Sequence, residues 1–309
     1  MTTLTQSTTG QVKQITRMIS DIADSKPVQD VLAALSKPSA ERLKGNPEFV
    51  ESLRQFTITQ IAELSVTNQF ANEEVKSTYG YLSGYKPKGL TEQANRLREF
   101  FPGAGFVNLD LQGRIEKGEV ALPANCEGWF AIPNWIKNPS TWGASYNEAL
   151  QKVLDMIKKT RDGKFYNYRD GQIGPERLRQ TKYTEKFFRE LSEAQGNPDI
   201  LIVPGQFGLR HRGRSVRRAR EVMFETSGEF GLGSFAVGIM ILTHPERLMN
   251  YDDLWIDCSG DEYDDPDSDV RFDHAPFFFF RDGKVRFGAD WFGYASGSYG
   301  SASGVVPQQ

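Results

Sequence analysis

With 309 residues, of which 39 % are hydrophobic, 25 % charged and 12 % aromatic, the chain has a folding composition, long enough for one large core or two domains. A net charge of −3 excludes a molecule-wide field that seeks polyanions, so any attraction to nucleic acid has to be local. Only Cys126 and Cys258 are present, which excludes a disulfide scaffold and a cysteine-rich zinc site and points to a reducing compartment.

No run approaches the roughly 18 apolar residues of a membrane span. Residues 1–10 lack the basic and apolar regions of a secretory signal and read as a flexible lead, so a cytoplasmic location is expected. Residues 11–78 read as a helical segment. Val12, Ile15, Met18, Ile19 and Ile22 share one helical stripe, and Pro27 opens a second helix with Val28, Val31, Leu32 and Leu35. Asn46-Pro47 starts a third, an Asn cap followed by a proline whose missing N–H costs nothing there, with Phe49, Leu53, Phe56, Ile61 and Leu64 along one side. Faces this small have to pack on one another, on the rest of the chain, or on a protein partner.

Residues 79–90, with Tyr79, Tyr81 and Tyr85 among Gly, Ser and Pro, read as a linker or loop pinned by aromatic anchors, with a base-stacking platform as the alternative. The body, 91–292, opens with a helix from Thr91 to Phe101 and a strand at Cys126–Trp135 ended by proline. Ser145 and Glu148 fit a capping box for a helix carrying Leu150, Val153, Leu154 and Ile157. Gly174-Pro175 is expected to start a further helix, and another runs from about Thr184 to Gly196. Asp199–Val203 reads as a buried strand. Phe235–Leu242 fits strand or buried helix, with helix preferred, and Thr243–Glu246 matches a second capping box. Leu254–Cys258 reads as a strand, and Pro276–Phe280 with Val285–Ala289 as a C-terminal hairpin about Asp282-Gly283. Residues 293–309, Gly, Ser, Ala and Tyr without pattern, read as a flexible tail. The expected class is α+β: a helical N-terminal segment, then a mixed body with few, scattered strands.

The chemistry concentrates in six arginines within eleven residues, 210–220. If the piece is extended, Arg210, Arg212 and Arg214 point one way. If Ser215 caps the next helix, Arg214, Arg217 and Arg218 gather at its start. Arginine forks beside a helix N-terminus suit phosphate or carboxylate, so these five are the expected anion-binding residues, with nucleic acid or a nucleotide as ligand. The alternative is a solvated or ion-paired helix face. Nine acids between Asp252 and Asp269 offer an internal counterpart, and at least one of the five arginines is expected to pair with them.

Other motifs lack their context. Gly231–Ala236 matches G-x-G-x-x-A with Asp257 downstream as a ribose acid, but Thr226–Phe230 is no apolar strand. Arg210-x-x-Gly213-x-Ser215 is similar to the phosphate loop of GNAT acetyltransferases, from which Ser215 departs. Asp265, Asp267 and Asp269 begin like an EF-hand, but Val270 stands where that loop needs Gly. No metal site and no cofactor is expected: His211, His244 and His274 have no zinc spacing. A Cys258–His pair is conceivable, and Glu127 and Asp257 are possible catalytic carboxylates that nothing in the sequence pairs.

Gly128–Pro133, Gln206–Ser215 and Leu242–Leu248 together resemble a family of bacterial hypothetical proteins to which no activity is assigned. The resemblance covers most of the chain after about residue 70, implies a bacterial cytoplasmic protein and carries over no functional residue. The leading expectation is a non-catalytic or accessory protein that binds a phosphate-rich ligand through the arginines. An enzyme on a small phosphorylated substrate and a structural or assembly protein are the alternatives.

Overall fold

The computed structural model describes residues 69–307 continuously and, before them, residues 13, 16, 17, 20, 21, 25–44, 46, 47, 49, 50, 53 and 57. The expected lead 1–10, the stripe from Val12 to Ile22, and Phe56, Ile61 and Leu64 lie outside the described residues. Two compact units are present, Met1–Thr57 and Ile58–Gln309.

In the first unit, α1 (Lys26–Ala33) carries proline in its first turn as expected. A second short helix, α2 (Lys37–Leu43), is capped by Ser36, whose hydroxyl accepts the Ser39 N–H at 3.3 Å. Asn46 does the same for Phe49, its Oδ1 accepting that N–H at 3.3 Å.

The second unit is α+β. Its helices are α3 (Leu90–Phe100), α4 (Leu109–Glu116), α5 (Pro139–Trp142), α6 (Tyr146–Thr160), α7 (Lys182–Ala194), α8 (Val216–Glu225) and α9 (Ser234–Thr243). Its strands gather into two sheets rather than staying scattered. The first sheet is antiparallel, in the order β1 (Gly128–Pro133), β4 (Ile200–Gln206), β11 (Ser303–Val305), β5 (Glu229–Gly231). The second is mixed. It runs β10 (Tyr299–Ser301), β6 (Trp255–Asp257), β8 (His274–Arg281), β7 (Asp261–Tyr263), β3 (Leu178–Gln180). On the other edge of β8 lies β9 (Lys284–Trp291), which in turn pairs with β2 (Phe165–Asn167).

The core lies where these layers meet. α9 is apolar all round and every one of its residues is buried, which settles Phe235–Leu242 as the preferred helix. It packs on α6 so closely that a Cβ on Gly238 would come within 2.6 Å of Val153. α6 begins at Ser145, whose hydroxyl accepts the Glu148 N–H at 3.2 Å. Glu148 itself reaches back to the Ala144 N–H at 3.0 Å, one residue short of a reciprocal capping box. α7 ends as expected, with Gly196 at φ +76°. The hairpin stands too: Arg281 pairs with Lys284, and Asp282 and Gly283 both have positive φ, 51° and 70°, as a type I′ turn requires. The tyrosine loop is pinned to the body. Tyr81 lies 3.9 Å under the buried Arg247 guanidinium and donates to Glu127 at 2.5 Å, and Tyr85 meets Phe207 edge-on at 5.1 Å.

Three expectations need correction. Gly174-Pro175 starts no helix: the chain turns there and runs into β3. Thr243–Glu246 is not a cap. Thr243 is the last residue of α9, its hydroxyl donating back to Ile239 O at 3.0 Å, and a 3₁₀ turn follows at Pro245–Arg247. The third correction is the largest. Within the expected tail 293–309, β10 lies in one sheet and β11 in the other, and Ser301, Ala302 and Ser303 are buried. Small residues are needed there because backbones cross at close range. A Cβ on Gly300 would come within 2.3 Å of the Gly208 carbonyl, and one on Gly208 within 2.5 Å of the Gly300 carbonyl.

Candidate functional site

The arginine segment leaves β4 through a 3₁₀ turn, Leu209–His211, and enters α8 at Ser215, whose hydroxyl caps the helix by accepting the Arg218 N–H at 3.1 Å. What the arginines hold is the protein's own carboxylates. Arg210 Nε lies 3.1 Å from both oxygens of Glu229. Arg214 pairs with Glu74 at 3.3 Å, Arg217 with Glu73, and Arg218 with Glu74 and, at 2.9 Å, Glu221. Arg212 differs. It is exposed and donates to the Tyr79 carbonyl at 3.0 Å. Backbone bonds close the clasp: Val75 N–H to Gly213 O at 2.8 Å and Ser215 N–H to Glu73 O at 3.0 Å. The segment 73–79 is thereby fastened across the start of α8.

The expected pairing with the acids of 252–269 is therefore replaced by pairing with Glu73, Glu74, Glu221 and Glu229. The acidic run has partners of its own: Asp265 with Arg169 at 2.7 Å, Glu262 with Arg179 at 2.9 Å, and Asp264 with Arg271 at 2.9 Å. The sixth arginine makes the connection through backbone. Arg220 donates to the Ser259 and Asp261 carbonyls at 2.9 and 2.6 Å. Glu73 and Glu74 lie 144 and 140 residues from Arg217 and Arg214, farther in sequence than the acids of 252–269, so tertiary topology and not sequence separation decides which carboxylates arrive within salt-bridge distance.

Beneath the arginines lies a network that sequence reasoning missed, because its members come from three elements and the loop before α8. His211 and Glu229 are buried and 2.8 Å apart, and Ser303 donates to Glu229 at 2.7 Å. Arg214 Nη1 sits 3.2 Å from His211 Nδ1. An arginine can only donate, so Nδ1 accepts, the ring proton sits on Nε2, and the imidazole is neutral. Burial favours the same state and pushes the His211 pKa down. Burial pushes the Glu229 carboxyl up, but His211, Arg210 and Ser303 together outweigh it and hold it at about 2.

The start of α9, where a G-x-G-x-x-A motif would cradle phosphate, is filled in the same way. Asp261 accepts the Ser234 N–H at 2.6 Å and the Tyr146 hydroxyl at 2.8 Å, and a Cβ on Gly233 would collide with that carboxylate. Burial pushes Asp261 up to about 6, against these hydrogen bonds.

Beside this helix start opens a cleft of about 570 Å³. Trp135, Phe188 and Phe235 form its walls with Ile132, Leu201 and Ala236, while Gln180, Glu185, Arg189 and Glu193 stand at its rim. The Trp135 turn is fixed by Asn134, which donates to Ser192 Oγ at 2.9 Å, and by Lys137, which pairs with Asp199 at 3.7 Å. Arg189 is exposed and has no salt bridge among the described residues. Volume and lining are those of a small-molecule site.

The remaining candidates fall apart. Cys258 is buried, burial pushes its thiol well up, and none of the three histidines stands beside it. His244 accepts the Lys88 N–H at 3.1 Å and His274 pairs with Asp273 at 2.7 Å. Glu127 is engaged by Tyr81, whereas Asp257 stands in the other sheet beside Asp290. Among the described residues no group of three or more His, Cys, Asp or Glu is placed to hold a metal ion. Among them also, no helix is long and apolar enough to cross a membrane. No family model, curated protein or solved structure matches this chain.

Proposed function

We propose that the protein binds a small amphipathic molecule in the cleft between Trp135, Phe188 and Phe235. One contrast carries this reading. The two anion sites legible in the sequence are filled by the protein's own carboxylates, while the cleft offers apolar walls with an arginine, Arg189, at the rim that lacks a carboxylate partner among the described residues. A ligand with an apolar body and an anionic head suits those walls and that charge. The lining supplies no nucleophile–base pair, so the reading is binding rather than catalysis.

1-Anilinonaphthalene-8-sulfonate, an apolar body with one sulfonate, is the probe. Saturable one-to-one binding is expected. Ile136→Asp at the exposed rim and Arg189→Gln should each weaken it several-fold, up to ~10-fold for a lost charge-assisted contact of ~1.4 kcal/mol. Non-saturable binding, or binding indifferent to both changes, would sink the proposal.

A second reading, a phosphate-rich ligand on Arg210–Arg218, is favoured by Arg212, which is exposed and has no carboxylate partner among the described residues. Such a ligand has to compete with Glu73 and Glu74 for the neighbouring forks. If it binds, Arg212→Gln with Arg214→Gln should lower the log–log salt slope for an oligonucleotide by roughly 1.4 to 1.8. Salt-independent binding, or none at low salt, excludes it. The two free cysteines suit a reducing, cytoplasmic setting.

A further inference from the structure

The second sheet has two faces of opposite character. Ile256, Phe278, Val285 and Phe287 belong to the main core. Alternation along each strand puts their neighbours on the other side. There the pairing register aligns Tyr299, Trp255, Phe279 and Arg286 in one row, and Ser301, Asp257, Phe277 and Gly288 in the next. Asp290 follows in the third row, opposite Ala275. Trp255, Phe277, Phe279 and Tyr299 form a ring cluster separate from the main core, with Tyr299 centred 4.9 Å from Trp255 and 5.3 Å from Phe277.

Two carboxyl groups face this cluster. Asp257 is only 5 % exposed, and its side chain makes no hydrogen bond or salt bridge among the described residues. Ser301, its neighbour across the register, has a buried hydroxyl without a partner. Asp290 accepts the Trp291 N–H at 2.8 Å, and its charge reaches Tyr299. The cation whose charge reaches Asp257, Arg220 of α8, is committed to the Ser259 and Asp261 carbonyls. Arg286, at the far end of the first row, is committed to Asp282. Trp255 and Asp290 are half-buried and Tyr294, edge-on to Tyr299 at 5.9 Å, is exposed, so solvent reaches this edge.

A buried carboxyl with no hydrogen-bond or salt-bridge partner is costly, and a structure that keeps one has a use for it. Aromatic faces with carboxylates attract cations, and the nearby arginines, Arg220 and Arg286, are committed elsewhere. We propose that this face binds a small organic ammonium ion, with Asp257 and Asp290 as counter-charges and the rings of Trp255, Phe277 and Tyr299 as walls.

Burial and the neighbouring Asp290 push the Asp257 pKa well up, with Arg220 acting the other way, and Tyr299 stays protonated. A protonated Asp257 must release its proton to pair with the cation, so affinity should rise with pH. Tetramethylammonium and methylammonium, titrated into the full chain and followed by tryptophan fluorescence and calorimetry, test this. Saturable millimolar or tighter binding of at least one is expected, with proton uptake by the buffer and a loss of at least ~10-fold in Asp257→Asn. That variant replaces a buried carboxyl by an amide of the same shape and should fold, as circular dichroism would report; Asp290→Asn, at a half-buried position, is the second test and should also weaken binding. No saturable binding of either cation, equal binding by both variants and the wild type, or preferential binding of glucose would overturn the proposal.

Discussion

Deleting residues 299–309 is expected to abolish cooperative folding of the unit 58–309. β11 is the strand that joins β4 to β5, and β10 lies against β6 in the other sheet, so one short segment stitches both sheets together. Its removal strips partners from the backbone groups it now satisfies. Gly213 N–H donates to Tyr299 O at 2.9 Å, Leu232 N–H to Ala302 O at 3.0 Å, and Asp257 O accepts from Ala302 at 3.0 Å. A buried polar group left without a partner costs roughly 1–3 kcal/mol, and native stability is only about 5–15 kcal/mol in total. Urea unfolding followed by near-ultraviolet circular dichroism should show no cooperative transition in the truncated chain. A transition with the midpoint and slope of the full chain would show that the stitch is dispensable.

Glu229→Gln is expected to cost about 3–5 kcal/mol, the range for removing one partner of a buried ion pair. Gln keeps one acceptor oxygen but removes the negative charge and the second oxygen that Arg210 and His211 now share, in a place only 1 % exposed. The same network makes the wild-type protein acid-labile. Glu229 drops from its ordinary 4.5 to about 2 in the fold, so its contribution is full above pH 4.5 and disappears as pH falls towards 2. His211, held neutral in the fold, adds to this: the unfolded state gains a proton below the ordinary 6.5 and is favoured there. Asp261 works in the opposite sense. Raised to about 6 from 3.8, it favours the folded state at low pH and loses that contribution as pH rises through 6. Glu229→Gln should therefore flatten the acid limb of the stability profile below pH 4.5 and leave the Asp261 limb. An unchanged acid limb would mean that Glu229 is not its source.

Local signals in the chain determined a good part of this fold. Ser145, Thr181 and Ser215 cap helices because a hydroxyl one residue before an apolar-periodic run has an orphan N–H within reach. Asp282-Gly283 makes its hairpin because both residues tolerate positive φ. The apolar periodicity of 146–157 placed α6, and the continuous apolar run 235–242 became a helix buried on every side.

Tertiary structure decided what each charged group meets. Arginine density at 210–220 announces a need for anions, but whether these are ligands or carboxylates of the same chain depends on where residues 73, 74 and 229 arrive. It also decided the fate of 299–305. Gly and Ser without apolar pattern read as mobility, yet the same residues are the ones that fit where two backbones approach within a Cβ of each other. The cleft at Trp135 and the carboxyl face at Asp257 were equally illegible, because their members lie on separate strands and helices. Periodicity and capping act within a few residues and are written in sequence order. Ion pairing, close backbone crossing and concavity act between residues far apart in the chain, and only the folded chain brings those together.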